Sequence, residues 1–257
     1  MNDPHVVDLT YHLRTGPDVS YKPGTTTTWK TPEFDGDLTA GVLTLKMTNH
    51  HATVGSAQGT VQPYLRAWEI QTGLQHGLGY LEFEYKTANV VDRNPPPPGA
   101  RVLHAEASSY AVFAMEVTGH LTNAKYPSPP SSFAVSPIVT TLWQRFRNFI
   151  EGKEPLTGMG YFCLSVLQAD AGGRRHAATK FTVHIDVLDT LGRLTSEVGD
   201  ESTARKLDQG TTFRPHTNAE TDWIKAAVKR LILRAGEIAA NSAGSHSLIE
   251  MSNLPTI

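Results

Sequence analysis

Residues 126–137 read YPSPPSSFAVSP, with four prolines and four serines in twelve positions. Proline removes a backbone donor, fixes its own φ and pushes its predecessor out of the α region. Neither a helix nor an inner strand runs through such a stretch. Whatever the chain builds must therefore be assembled on either side of it. The hydrophobic period changes there as well. Before it, apolar residues alternate with polar ones, as in a half-buried strand. After it they recur at three- and four-residue spacings, as in a helix packed on one side. The expected fold is α+β, with a β-rich domain over residues 1–125 and a Pro/Ser linker over 126–137. An α-helical bundle follows over 138–240, then a flexible Ser-, Asn- and Gly-rich tail over 241–257.

In the first half, Leu9, Tyr11 and Leu13 alternate with polar residues, and Val42–Met47 has strand composition. Leu81, Phe83 and Tyr85 alternate with Glu82 and Glu84, a strand with one wet face. Residues 102–106 and 110–118 are further strand candidates. The PPPPG run at 95–99 reads as a stiff polyproline II loop between strands. One packed helix is expected over about residues 58–71, where Val61, Leu65 and Trp68 share a face. Pro63 then has to sit in its first turn.

In the second half, Ser136 and Pro137 form a cap followed by proline at the first helical position. Ile138, Leu142, Phe146, Phe149 and Ile150 are expected inward on that helix, with Gly152 ending it. Residues 159–167, MGYFCLSVL, read as a central helix with Phe162 and Leu167 inaccessible. Asp186 is expected to cap another helix, with Val187, Leu188, Leu191 and Leu194 inward. Thr217 and Glu220 form a capping box that opens the longest helix, to about residue 240. Its inner side carries Trp223, Ile224, Ala227, Val228, Leu231, Ile232 and Ile238. These elements suggest a bundle of about four helices.

Composition excludes several classes. Hydrophobic residues at 39% and charged residues at 19% support a packed core over global disorder. A net charge of -2 sets up no general field for nucleic acid or acidic membranes. The longest apolar runs are far too short to cross a bilayer. The opening MNDPH lacks the features of a signal peptide. Cys163 is the only cysteine, which rules out an intrachain disulfide and fits a cytoplasmic, reducing compartment.

The segments LRAWEI (Leu65, Ile70), VDRNPPPPG (Val91, Gly99), GMGYFCLSVL (Gly158, Leu167) and ARKL (Ala204, Leu207) resemble a family of uncharacterised bacterial proteins. The resemblance covers both halves, implies a bacterial origin and brings no activity or site residues. The helical half also resembles HEPN domains, helical modules found in RNases of defence and toxin systems. Those nucleases use Arg and His four to six residues apart on one helix. Here Arg101 and His104, and Arg174 and His176, are closer than that, and Arg214 and His216 flank a proline. The resemblance thus implies a non-catalytic module.

No phosphate loop, nucleophile elbow or HExxH zinc helix occurs, and the glycine pairs at 77 and 79 and at 158 and 160 lack the third glycine of a dinucleotide site. His50 and His51, adjacent after a strand, are expected to face opposite ways. His104 and Glu106 face the same way but supply only two ligands, so no metal is expected. Cys163 on an apolar helix reads as a small hydrophobe. The most unusual polar constellation is Glu69, expected at a helix end, with Asp92 and Arg93 at a strand end. Either an ion pair closing the sheet or a binding site would explain it. Lys225, Lys229, Arg230 and Arg234 mark the polar side of the long helix and could form a basic stripe. Residues 136–240 nevertheless hold only 14 Lys and Arg against 12 Asp and Glu.

The leading expectation is a non-enzymatic binding or scaffolding protein, without cofactor or membrane association, acting through a protein partner. Its binding residues would come from Glu69, Asp92, Arg93, His104, Glu106 and the basic stripe. An RNA-binding or RNA-processing protein of a defence or stress system is the second reading. A hydrolase with a dispersed site is the third, because triads assemble from distant residues. Nothing in the sequence fixes an oligomeric state.

Overall fold

The computed structural model of the protein describes residues 2–95, 121–198, 214–241 and 243–257. The chain divides into two compact units, residues 1–131 and 132–257. The arrangement is α+β, with an antiparallel sheet in the first unit and helices in the second. The division falls inside the Pro/Ser stretch, whose aromatic residues are anchored. Tyr126 is buried in the first core and accepts a hydrogen bond from Gly41 N, while Phe133 is buried in the second unit, where Ala134 N donates to Gly236 O. The candidate strands at 102–106 and 110–118 and the PPPPG run lie wholly or almost wholly outside the described residues.

In the first unit the strands are β1 (Pro4–Arg14), β2 (Val19–Tyr21), β3 (Thr26–Lys30), β4 (Phe34–Thr39), β5 (Val42–Met47), β6 (Glu82–Asp92) and β7 (Leu121–Asn123). Five of them form one sheet in the order β3-β4-β5-β1-β6, antiparallel throughout, and β2 and β7 form a separate parallel pair. The register sorts side chains by face. Lys30, Asp35, Lys46, Asp8 and Asn89 make one row across all five strands, and Thr28, Asp37, Thr44, Thr10 and Thr87 make the next. Opposed residues in such rows lie on the same face, so these two rows are its polar side. On the other face Trp29, Gly36, Leu45, Leu9 and Ala88 share a row. A Cβ on Gly36 would overlap the Trp29 ring. The missing side chain lets Trp29 fold across its neighbour and meet the Trp68 ring edge-on, with centroids 4.9 Å apart.

Helix α1 (Val54–His76) covers the apolar face with Ala57, Val61, Leu65 and Trp68. It begins earlier than the sequence suggests because Thr53 caps it, its Oγ1 accepting from Ser56 N. Pro63 therefore lies well inside the helix. It sits on an exposed side, as does Gly59, whose carbonyl loses its usual donor there and is left open to water. Ala67, Ile70 and Leu74, off the sheet-facing stripe, are buried too.

The second unit has five α-helices among the described residues: α2 (Pro137–Ile150), α3 (Leu156–Ala171), α4 (Arg174–Lys180), α5 (Ile185–Ser196) and α6 (Asn218–Ala240). The Ser136 cap and the Thr217–Glu220 capping box form as expected. Several expectations need correction. The inner face of α2 is Val139, Leu142, Trp143 and Phe146, and Ile150 is exposed, because burying the large Trp143 rotates the stripe. Arg174, Arg175 and His176 open the short helix α4. The α5 cap is His184, whose ring accepts from Asp186 N, with Asp186 in the first turn. On α3, Cys163, Leu164 and Leu167 are buried, but Phe162 is only half-buried, with the Arg145 guanidinium 3.8 Å above its ring. Gly160 permits close helix packing, since a Cβ there would lie 2.7 Å from Thr195 Cγ2 on α5.

The tail is docked over part of its length. Ile249 is buried and pairs with Val183 as a parallel bridge. Ile249 N donates to Thr182 O and His184 N donates to Ile249 O. A polar tail can still dock when one apolar side chain and a row of backbone partners receive it.

Candidate functional site

The polar constellation expected from the sequence is not one site. Glu69 lies within α1 and not at its end. Its Oε1 accepts from Phe83 N at 2.8 Å and its Oε2 from Arg66 Nη1 at 3.2 Å, which ties the helix to the start of β6. Burial raises the Glu69 pKa against the pull of those two donors. Asp92 stands at the far end of β6. Nine residues of extended chain separate it from Phe83, roughly 30 Å at strand rise. Its carboxylate accepts from Asn2 N and Asp3 N, both at 2.9 Å, and from Asn94 N at 3.1 Å. Desolvation opposes its ionisation, yet these N–H groups together hold the Asp92 carboxyl below its ordinary pKa. The Asp92 carboxylate is taken up by backbone donors and that of Glu69 by one backbone donor and Arg66. His104 and Glu106 lie outside the described residues.

The basic stripe on α6 does not assemble either. Arg234 is wholly buried. Its Nη1 donates to Phe181 O at 2.9 Å and Thr182 O at 3.0 Å, its Nη2 to Ser247 O at 2.6 Å and its Nε to Glu237 at 2.7 Å. It is an internal staple with no face left for a phosphate. Lys225 pairs with Asp222 at 3.5 Å, Arg230 with Glu237 at 3.4 Å, and Lys229 lies 5.9 Å from the centre of the Phe146 ring. Cys163 is buried, and desolvation pushes its thiol up to about 12, reinforced by the nearby Glu154 charge and opposed by Arg145. A thiol held protonated in this way is a poor nucleophile.

The structure does gather titratable groups at the end of the sheet where β1 begins, β6 ends and α1 starts. His5 on β1 stacks on His50, with ring centroids 5.2 Å apart and planes 17° apart. His50 Nε2 lies 3.6 Å from Asp3 Oδ1. His51 turns to the helix, its Nδ1 3.0 Å from Ser56 Oγ. His50 and His51 thus face different partners, as alternation along an extended chain requires. Both His5 and His51 are buried, and His5 Nδ1 and His51 Nε2 have no hydrogen-bond partner. Burial pushes His5 below its ordinary pKa. The charges of Arg93, His50 and His51 push the same way, and Asp3 opposes them.

Backbone bonds close this end. Val6 N donates to His51 O and Arg93 N to Asp3 O, both at 2.9 Å. Of the residues singled out from sequence, His50, His51, Asp92 and Arg93 belong here. His5 was not recognisable, because its partners lie more than forty positions away and meet it only through strand pairing. Among the described residues, no three His, Cys, Asp or Glu side chains are placed to hold a metal ion, and no helix is long and apolar enough to cross a membrane. No protein-family model, curated protein or solved structure matches the chain.

Proposed function

We propose that the chain is a non-enzymatic binding module that acts through a protein partner in the cytoplasm. The observation that carries this reading is the use made of the strongest polar groups. Glu69, Asp92 and Arg234 are bonded to the chain's own backbone, and Glu220 to Arg214 and to its own helix cap. Groups held this way stiffen a scaffold and leave little for substrate chemistry. Large apolar side chains nevertheless reach solvent, Tyr85 and Val91 on β6 and Ile150 on α2 among them. A buried, protonated Cys163 thiol suits a reducing compartment.

A photo-crosslinking amino acid placed at Tyr85, and separately at Ile150, tests the reading in living cells. The expected result is one discrete protein adduct from at least one position, repeated with purified partner. Turnover of ester, phosphodiester or glycoside substrates by purified protein, with no adduct from either position, would replace binding with the hydrolase reading. Adducts to RNA in place of protein would favour the second.

A further inference from the structure

We infer that the His5–His50–His51 cluster is an acid-operated clasp that holds the N-terminal end of β1 closed near neutral pH and releases it on mild acidification. Two strands and the approach to α1 are joined there, and the rings of His5, His50 and His51 line the join. His5 is covered, stacked on His50 and left without a partner at Nδ1. His51 is covered, bonded to Ser56 at one nitrogen and unpartnered at the other. The unpartnered nitrogens are inaccessible, so a bound anion or metal does not explain the cluster. A neutral His5 ring tolerates such a place better than an imidazolium whose Nδ1–H has no acceptor.

All but one of the surrounding charges disfavour protonation of His5. The end of β6 contributes Arg93, a fixed positive charge. The segment after β5 contributes His50 in ring contact and His51 beside it. The segment before β1 contributes Asp3, the one opposing charge, and Asp3 is already close to His50. The Asp92 carboxylate is occupied by three backbone N–H groups.

The direction of the effect follows from linkage. The closed end binds protons less readily than the open end, since His5 in the fold lies below the ordinary histidine value of 6.5. Closure is therefore fully favoured above that value and weakens as the pH falls through it toward the folded value. What opens is the pairing of residues 2–6 with β6 and with His51, whose bonds are Val6 N to His51 O and Arg93 N to Asp3 O.

Amide protection factors for Val6 and Arg93, corrected for intrinsic exchange, are measured by NMR on the full chain. Between pH of about 7.5 and about 5.5 both should fall, by at most about tenfold if His5 alone is responsible. In His5→Phe, which keeps a stacking ring and cannot be protonated, they should stay level. A fall of equal size in His5→Phe, or none in the unaltered protein, overturns the proposal. Should His5→Phe fail to fold, the Cε1 proton of His5 in the unaltered protein decides. A titration midpoint below 6.5 supports the clasp, and one at or above 6.5 overturns it. None of these readouts involves a partner, so the clasp and the binding reading stand or fall separately.

Discussion

Replacing Arg234 with Met removes the internal staple of the second unit while nearly keeping side-chain length. Three carbonyls, those of Phe181, Thr182 and Ser247, lose the guanidinium as donor, and Thr182 O keeps Ile249 N. Hydrogen bonds to a charged group are worth about 1.5–3 kcal/mol each, and a buried orphan acceptor costs about 1–3. Relief from burying a guanidinium offsets part of that sum. Glu237 loses its Arg234 contact but keeps Arg230 at 3.4 Å, so it adds little. A net loss of about 3–5 kcal/mol is expected, the range seen when one member of a buried charged network is removed. Arg234→Lys keeps the charge but cannot fork across three carbonyls, and about 2 kcal/mol should be lost. Because the chain has two units, a single unfolding curve is a poor measure. Native-state hydrogen exchange resolves the unit concerned through Ile249 N, bonded to Thr182 O, and His184 N, bonded to Ile249 O. Their opening free energies should drop by the stated amount, while Leu13 N in the first unit stays unchanged. A drop below about 1 kcal/mol in the Met variant would show that the staple matters little.

Gly36→Ala drives a methyl into the Trp29 ring and should cost about 1–3 kcal/mol, read as a lower urea midpoint of the first unit with changed Trp29 fluorescence. An unshifted midpoint would mean that Trp29 repacks freely. Glu220 is held down to about 2, chiefly by the Arg214 hydrogen bonds. Its contribution to stability is complete above the unfolded glutamate value and is lost as pH falls toward about 2. Glu220→Gln should flatten that limb of an acid titration, and an unchanged limb would refute the assignment. Cys163 should react with a thiol reagent only on opening of the second unit, and prompt labelling of the native protein would contradict its burial.

Local signals in the sequence were legible where the physics is local. Ser136–Pro137 and Thr217–Glu220 involve residues within one helical turn, and both begin helices as read. The strand alternation of Leu9, Tyr11 and Leu13 also marks the correct face, though Leu13 is only partly buried. The errors lie where distant segments decide. Arg234 reads as a surface cation because it stands among Lys225, Lys229 and Arg230. Its carbonyl partners lie 53, 52 and 13 positions away. Glu69 and Asp92 look like a pair in sequence, but the length of β6 puts them at opposite ends of the strand. Pro63 was misplaced by assuming that proline must lie near a helix start. An exposed position later in a helix supported by its buried stripe accommodates it.

The row Lys30, Asp35, Lys46, Asp8, Asn89 alternates in charge over its first four strands and ends on the neutral Asn89. Asp35 and Lys46 each have the opposite charge on both sides, and Asp8 has it on one, so neither Asp35 nor Lys46 can change sign alone. Lys46→Glu would set three acids side by side at Asp35, 46 and Asp8, whereas reversing Lys46 and both flanking aspartates together restores alternation everywhere but at the margins. Sequence change along this row is thus expected to be correlated across strands that are neighbours in space. In related chains the aspartate on β1 and the lysine on β5 should covary, a pattern detectable by counting substitutions, without any structure at all.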